Sequence, residues 1–322
     1  MSGIVPDGSI SNDKTSRLRY LSVASDPRDR SVRCDSVSAS PTTHGPAPLS
    51  GLASELARIA GAADEAGLDT LWLADHLIQA DPTSTPDSEM LEAYTTLGFL
   101  AAHTKRVRLG TMVTGATFRP PSVLIKAITT LDVLSGGRAW LGVGAGYHEQ
   151  EARAMGLPLP PIGERFERLE ETLKLALQMW AGDSSSFEGR HYRLEKPVGN
   201  PLPLSRPHPP ILVGGMGERK TLRLVAAYAN ACNLFDIPDE GKTIRQKLAV
   251  LARHCDAVGR PHDEIERTVS TRLNPGEPPE AFAERCAGLA ALGIEHAVVI
   301  TAGPWTADAV ATLATARHLV QP

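Results

Sequence analysis

None of the four cysteines, Cys34, Cys232, Cys255 and Cys286, stands at metal-ligand spacing, which excludes a CxxC-type metal site. So few thiols in 322 residues point to a reducing, cytoplasmic compartment, with each read as a small buried or half-buried thiol. No apolar run reaches the roughly 18 residues that a membrane span needs. The first 16 residues are rich in Ser, Asp and Gly and lack an apolar core, so they do not read as a secretory signal but as a disordered tail. An excess of positive charge is also missing. Lys and Arg number 33 against 37 Asp and Glu, a formal net charge of −4, which argues against a general affinity for nucleic acid or anionic membrane.

What is present is an alternation. From Leu52 onward, short β-rich runs are followed by longer segments with helical periodicity, the pattern of βα units around a parallel sheet. Strands are expected at 70–74, 107–113, 138–144, 210–214, 230–235, 265–273 and 296–301, most of them rich in Val, Leu and Ile as befits strands buried on both faces. Helices are expected between them; Leu52, Leu56, Ile59, Ala60 and Ala63 recur at helical spacing, as do Phe166, Leu169, Leu173, Leu177 and Trp180. Seven strands leave one to find before a (β/α)8 TIM barrel closes. Residues 17–24 (RLRYLSVA) are the best candidate, followed by a polar Pro- and Ser-containing stretch over 25–50 that reads as a long loop. The domain reading is therefore a tail over 1–16 and one barrel over 17–322, with an atypical first strand and loop over 17–51. Long connections at 147–163 and 183–209, the second holding a small hairpin in SFEGRHYRLE, read as insertions at the C-terminal face of the barrel.

In such a barrel the ends of the strands face the site, so the residues there carry the chemistry. Asp75 and His76 end the second strand. An imidazole titrates near neutral pH and suits proton transfer, the plainer reading of His76 being a structural histidine hydrogen-bonded at the strand end; Asp75 would either orient the ring or close a structural hydrogen bond. GVGAGY ends the fourth strand, and its glycines let backbone N–H groups of Gly144, Ala145 and Gly146 approach an anion, with Tyr147 at the mouth; the plainer reading is a tight turn. Gly214, Gly215, Met216 and Gly217 end the fifth strand and open a helix, a second place for a phosphate or merely a turn. Arg165 reaches a phosphate in one reading and makes solvated-face ion pairs in the other. A barrel lyase or isomerase would want a strand-end Lys or paired carboxylates, and neither is found.

Taken in order, GLDTLWLADH (67–76), RVRLGTMVTG (106–115), RPPSVLIKAITTLDVLSGGRAWLGVGAGYHEQE (119–151), GERFERLEETLKLALQMW (163–180), FEGRHYRL (187–194) and PHPPILVGGMGERKTLRLVAAYANACNLF (207–235) resemble the luciferase-like monooxygenase family, in its branch of F420-dependent oxidoreductases. The resemblance implies a luciferase-like barrel with a flavin or deazaflavin at the strand ends. It matches His76 to the family's active-site histidine. It also implies a bulge within Thr111–Gly115 (TMVTG), where Met112, Val113 and Thr114 would back the middle ring of the cofactor with a non-prolyl cis peptide at Met112–Val113; the plainer reading of these residues is barrel-core packing. The activity it implies is hydride transfer between coenzyme F420 and a small organic substrate. The alternatives are an FMN-dependent monooxygenase with a reductase partner and a non-catalytic flavin-binding barrel. A homodimer is also implied. The first 50 residues depart from the family, whose members run from the first strand to the first helix through a short loop.

Overall fold

The seven expected strands all form, and they do so side by side and in parallel. The structure is a computed structural model describing residues 33–39, 49–80 and 85–320. Its elements run β1 (Arg33–Ala39), α1 (Leu52–Glu65), β2 (Thr70–Leu73), α2 (Ala93–His103), β3 (Arg108–Thr111) and its continuation β4 (Thr114–Gly115), then α3 (Pro121–Ser135), β5 (Ala139–Gly144), α4 (Glu149–Met155) and α5 (Ile162–Trp180). The hairpin β6 (Phe187–Glu188) and β7 (Arg193–Leu194) follows, then β8 (Ile211–Gly214), α6 (Thr221–Tyr228), β9 (Ala231–Phe235), α7 (Lys242–Val258), β10 (Glu266–Leu273), α8 (Pro279–Ala291), β11 (His296–Thr301) and α9 (Ala307–Val320). The sheet order is β3-β2-β1-β11-β10-β9-β8-β5-β4, and a further pairing of β3 with β5 closes the ring. This is the expected parallel barrel with helices between its strands.

One strand differs from expectation. Residues 17–24 lie outside the described residues, and the place between β2 and β11 is filled by β1, inside the polar run that reads as loop. Its sequence, RCDSVSA, is too polar for an apolar-run criterion, yet two flanking strands supply its backbone with partners. The segment after β5 also differs: α4 interrupts what reads as an irregular connection. The hairpin forms as expected and packs along α5, where the buried Glu171 carboxylate accepts the backbone N–H groups of Arg190, His191 and Tyr192. Cys232 and Cys255 are buried thiols, burial pushing the Cys232 thiol up to about 12. Cys286, read from the sequence as a thiol, is instead disulfide-bonded.

Inside the barrel Trp72, Trp140, Leu212, Ala231 and Val298 form a buried layer, with the two indoles edge-to-face at 5.6 Å. Glycines make room for it. A Cβ at Gly110 would lie 2.7 Å from the Trp72 ring, and one at Gly142 would lie 1.7 Å from the Thr111 carbonyl oxygen. Met112 and Val113 rest on this layer, so whatever binds at the strand ends has a filled floor.

The opposite end is held by a buried acid. Asp64, near the end of α1, accepts the backbone N–H groups of Lys105, Arg106 and Val107, which lead into β3. Burial favours the protonated acid, but the three amides outweigh it and hold the carboxyl below its ordinary range. Its stabilising contribution is therefore complete above the unfolded value of about 3.9 and is lost as pH falls through the lower folded value. Asp64→Ala leaves these amides without their acceptor and is expected to cost about 3 kcal/mol at neutral pH. Urea unfolding at pH 7 and pH 3 checks this: the gap between variant and parent should shrink at the lower pH.

Candidate active site

Helix and strand periodicities bring the strand ends to one rim, and the rim residues are tied together there. The Met112 N–H donates to the Leu73 carbonyl at 2.8 Å, joining β3 to β2. The next peptide, Met112–Val113, is cis, as the resemblance implies, and it separates β3 from β4 as a bulge. The Val113 side chain lies against two glycines: a Cβ at Gly144 would come within 3.0 Å of it, and a Cβ at Gly214 within 2.9 Å. β4, β5 and β8 thus converge on one apolar side chain, and any larger residue at either glycine would displace it.

The glycine loops follow directly. Gly146 and Gly215 both have positive φ, 75° and 108°, which a side chain would strain. Arg165, from the first turns of α5, donates through Nη1 to the Gly146 carbonyl at 2.6 Å and so pins the loop after β5. Arg165 Nε and Thr117 Oγ1 are buried without a hydrogen-bond partner among the described residues, and a Cβ on Gly146 would lie 3.9 Å from that hydroxyl. Met216, between Gly215 and Gly217, accepts the Phe235 N–H on its sulfur at 3.3 Å, joining the loop after β8 to the end of β9.

Asp75 and His76 are neighbours in sequence but their side chains part. Asp75 is buried, and its carboxylate accepts a two-pronged contact from Arg119 at 2.5 and 2.9 Å and a hydrogen bond from Thr114 at 2.6 Å. Thr114 Oγ1 in turn is 2.6 Å from the Tyr94 hydroxyl, whose pKa is driven up by burial and by the charge of Asp75, so that the phenol stays protonated and donates. Of the two roles open to Asp75, the geometry follows the structural one: it locks β4 to the end of β2 and leaves the histidine ring to another acid.

That acid is Glu151, in the first turn of α4. His76 Nδ1 lies 2.8 Å from Glu151 Oε2, and the Leu77 N–H donates to Oε1 at 2.6 Å. The Glu151 side chain is fully buried and that of His76 is 17% exposed. Burial disfavours the Glu151 carboxylate, but His76 and the amides of Leu77 and Ile78 outweigh it and keep the acid below its ordinary range, hence ionised. An ionised acid can only accept, so Nδ1 carries the proton of this bond. The other nitrogen, Nε2, is turned to the Tyr147 hydroxyl, 3.4 Å away at the exposed mouth. His148 Nδ1 accepts the Glu151 N–H at 3.0 Å and caps α4, which fixes the helix that carries the acid.

Sequence reasoning missed Glu151, Arg119 and Thr117. Seventy-five positions separate Glu151 from His76, and in sequence it stands among exposed-looking neighbours on a helix of seven residues. The remaining candidates, Met112, Val113, Thr114, Gly144, Ala145, Gly146, Tyr147 and Gly214 to Gly217, stand at or just after the ends of β3, β5 and β8. Among the described residues no helix is long and apolar enough to cross a membrane.

A family model described as luciferase-like monooxygenase matches residues 36–316. An F420-dependent glucose-6-phosphate dehydrogenase of Kineococcus radiotolerans is 34% identical over 239 residues, covering 71% of this chain and 66% of the relative. A protein of the same name from Nakamurella multipartita is 37% identical over 226 residues, 69% of this chain and 63% of the relative. The chain thus matches slightly less than two thirds of the length of these relatives. The structure of an F420-dependent secondary alcohol dehydrogenase in complex with an F420–acetone adduct superimposes with a TM-score of 0.76 at 16% identity, covering 89% of this chain and 99% of that one. At that identity the likeness concerns the fold alone.

Proposed function

The chain belongs to the luciferase-like monooxygenase family, and from that premise we propose that it is an oxidoreductase moving a hydride between coenzyme F420 and a small organic substrate. The observation that carries the reading is the meeting, on one rim, of a carboxylate-held histidine, the apolar bulge between β3 and β4, and two glycine loops. Sequence relatives named for F420-dependent dehydrogenation favour the deazaflavin over FMN.

The residues present fit such a group. A planar ring needs an apolar backing without projecting side chains, which Val113 with Gly144 and Gly214 supplies. An anionic tail needs close backbone amides and unpartnered donors, which the glycine loops with Arg165 Nε and Thr117 Oγ1 supply. When bound, F420 supplies a two-electron carrier that takes or gives hydride. The protein supplies the rest. An alcohol losing hydride from carbon must also lose its hydroxyl proton, and in this reading His76 Nε2 accepts it; in the reverse direction the same nitrogen returns the proton to a carbonyl oxygen. Tyr147 and Phe235, both exposed near the strand ends, would cover a substrate from the solvent side in this reading.

Titration of the purified protein with F420 and, separately, with FMN, followed by the fluorescence of each, tests the assignment. Saturable quenching of F420 at micromolar concentration is expected, with weaker FMN binding. Absence of F420 binding, or a clear preference for FMN with oxygen consumption, would overturn it.

A further inference from the structure

Proton transfer to and from the substrate would use only the outward nitrogen of His76. The inward one faces the single carboxylate of Glu151, and that arrangement is more specific than a hydrogen bond needs to be. Both oxygens of the acid are committed: Oε2 to His76 Nδ1 at 2.8 Å, Oε1 to the Leu77 N–H at 2.6 Å, with the Ile78 amide adding to the same carboxylate. The acid cannot rotate away without abandoning the backbone that immediately follows His76, so ring and carboxylate are fixed to one another by the chain itself. The ring packs edge-to-face against Tyr147 at 5.8 Å and His148 at 5.6 Å.

We infer that Glu151 is a positioning residue that holds His76 as the Nδ1–H tautomer, so that Nε2 presents its lone pair, and never an N–H, to the substrate when the ring is neutral. A neutral imidazole has one donor and one acceptor nitrogen, and which is which is set by the partner of the buried side. With an ionised carboxylate on Nδ1 the choice is forced. The inference rests on the functional reading for its consequence in turnover, but the tautomer itself is a property of the protein alone. The ionisable groups facing the pair are Tyr147 and His148 from the loop after β5; His148 shows its own Nδ1 as an acceptor to the Glu151 amide, so its ring does not compete for the carboxylate.

Glu151→Gln is the informative variant because it keeps the shape and reverses the logic. The Leu77 amide is an obligate donor and takes the carbonyl oxygen of the new amide. Its NH2 group then faces Nδ1, which must become the acceptor, moving the ring proton to Nε2. Nitrogen-15 NMR of histidine-labelled protein without cofactor, in alkaline buffer, reads this directly. The wild type is expected to show a protonated Nδ1 and a bare Nε2 for His76, and the variant the exchanged pattern. In turnover the variant should lose about 10²-fold in kcat with KM and F420 affinity within about twofold, while Glu151→Asp, which keeps the charge but shortens the reach, should recover part of the loss. A wild-type His76 with its proton on Nε2 would overturn the inference, as would a variant that keeps the wild-type pattern. If the variant does not fold, the wild-type spectrum alone decides. Failure of the protein to bind F420 would remove the functional reading and leave the tautomer result standing.

Discussion

His76→Ala is expected to lower kcat by about 10²- to 10⁴-fold, the range for removing a positioned acid–base group, while F420 affinity stays close to that of the parent. The two effects separate because different residues carry them. The imidazole stands at the end of β2 with Nε2 toward the mouth, whereas the bulge at Met112–Val113 and the glycines at the ends of β5 and β8 are independent of it. Folding should survive, since Glu151 keeps the Leu77 and Ile78 amides as donors after the ring is gone. Steady-state kinetics alongside a fluorescence titration checks both halves, and added imidazole should restore part of the rate if the missing function is proton transfer. An unchanged kcat would mean that the proton leaves by another route and that His76 serves only to anchor α4.

The second large effect is on stability. Gly142→Ala adds one methyl group, but that carbon would lie 1.7 Å from the Thr111 carbonyl oxygen and 3.5 Å from the Trp72 ring. The obstacle is backbone, so no rotamer change relieves it. The collision also falls on the short β3–β5 pairing, two residue pairs long, that closes the barrel, where Thr111 Oγ1 donates to the Gly142 carbonyl. A loss of more than about 3 kcal/mol is expected, from overpacking together with disrupted strand pairing. The same substitution at Gly98, on the exposed face of α2 with open space around it, should instead stabilise by about 0.5–1 kcal/mol. Urea unfolding of the pair tests whether location, rather than the loss of glycine itself, decides the sign.

Much of this architecture is legible in the sequence because its strands are buried on both faces and read as uninterrupted apolar runs. The strand at His296–Thr301 begins and ends where the pattern places it. β1 escapes that criterion. RCDSVSA alternates polar and small residues, whereas RLRYLSVA, earlier in the chain, has the stronger local composition. What decides in favour of β1 is pairing with β2 and β11, information that lies some 30 and 260 residues away. The site divides in the same manner. Glycine loops and a strand-end histidine are local signals, and the cis peptide entered through family resemblance. Glu151 belongs to a short helix flanked by prolines further on, and its partnership with His76 exists only once β2 and β5 lie near each other. Asp75 was ambiguous because adjacency in sequence places it beside His76, whereas its carboxylate in fact reaches β4 and Arg119.

The indole pair in the barrel has an optical consequence. Trp72 and Trp140, two of four tryptophans in the chain, sit directly beneath Met112 and Val113. With the cofactor ring over Met112 and Val113, as proposed, a near-ultraviolet emitter would lie beneath a blue-absorbing group and could pass excitation energy to it. Occupancy of the rim should therefore be visible as dimmed tryptophan emission, an unlabelled reporter whose signal Trp140→Phe would diminish without touching the rim itself.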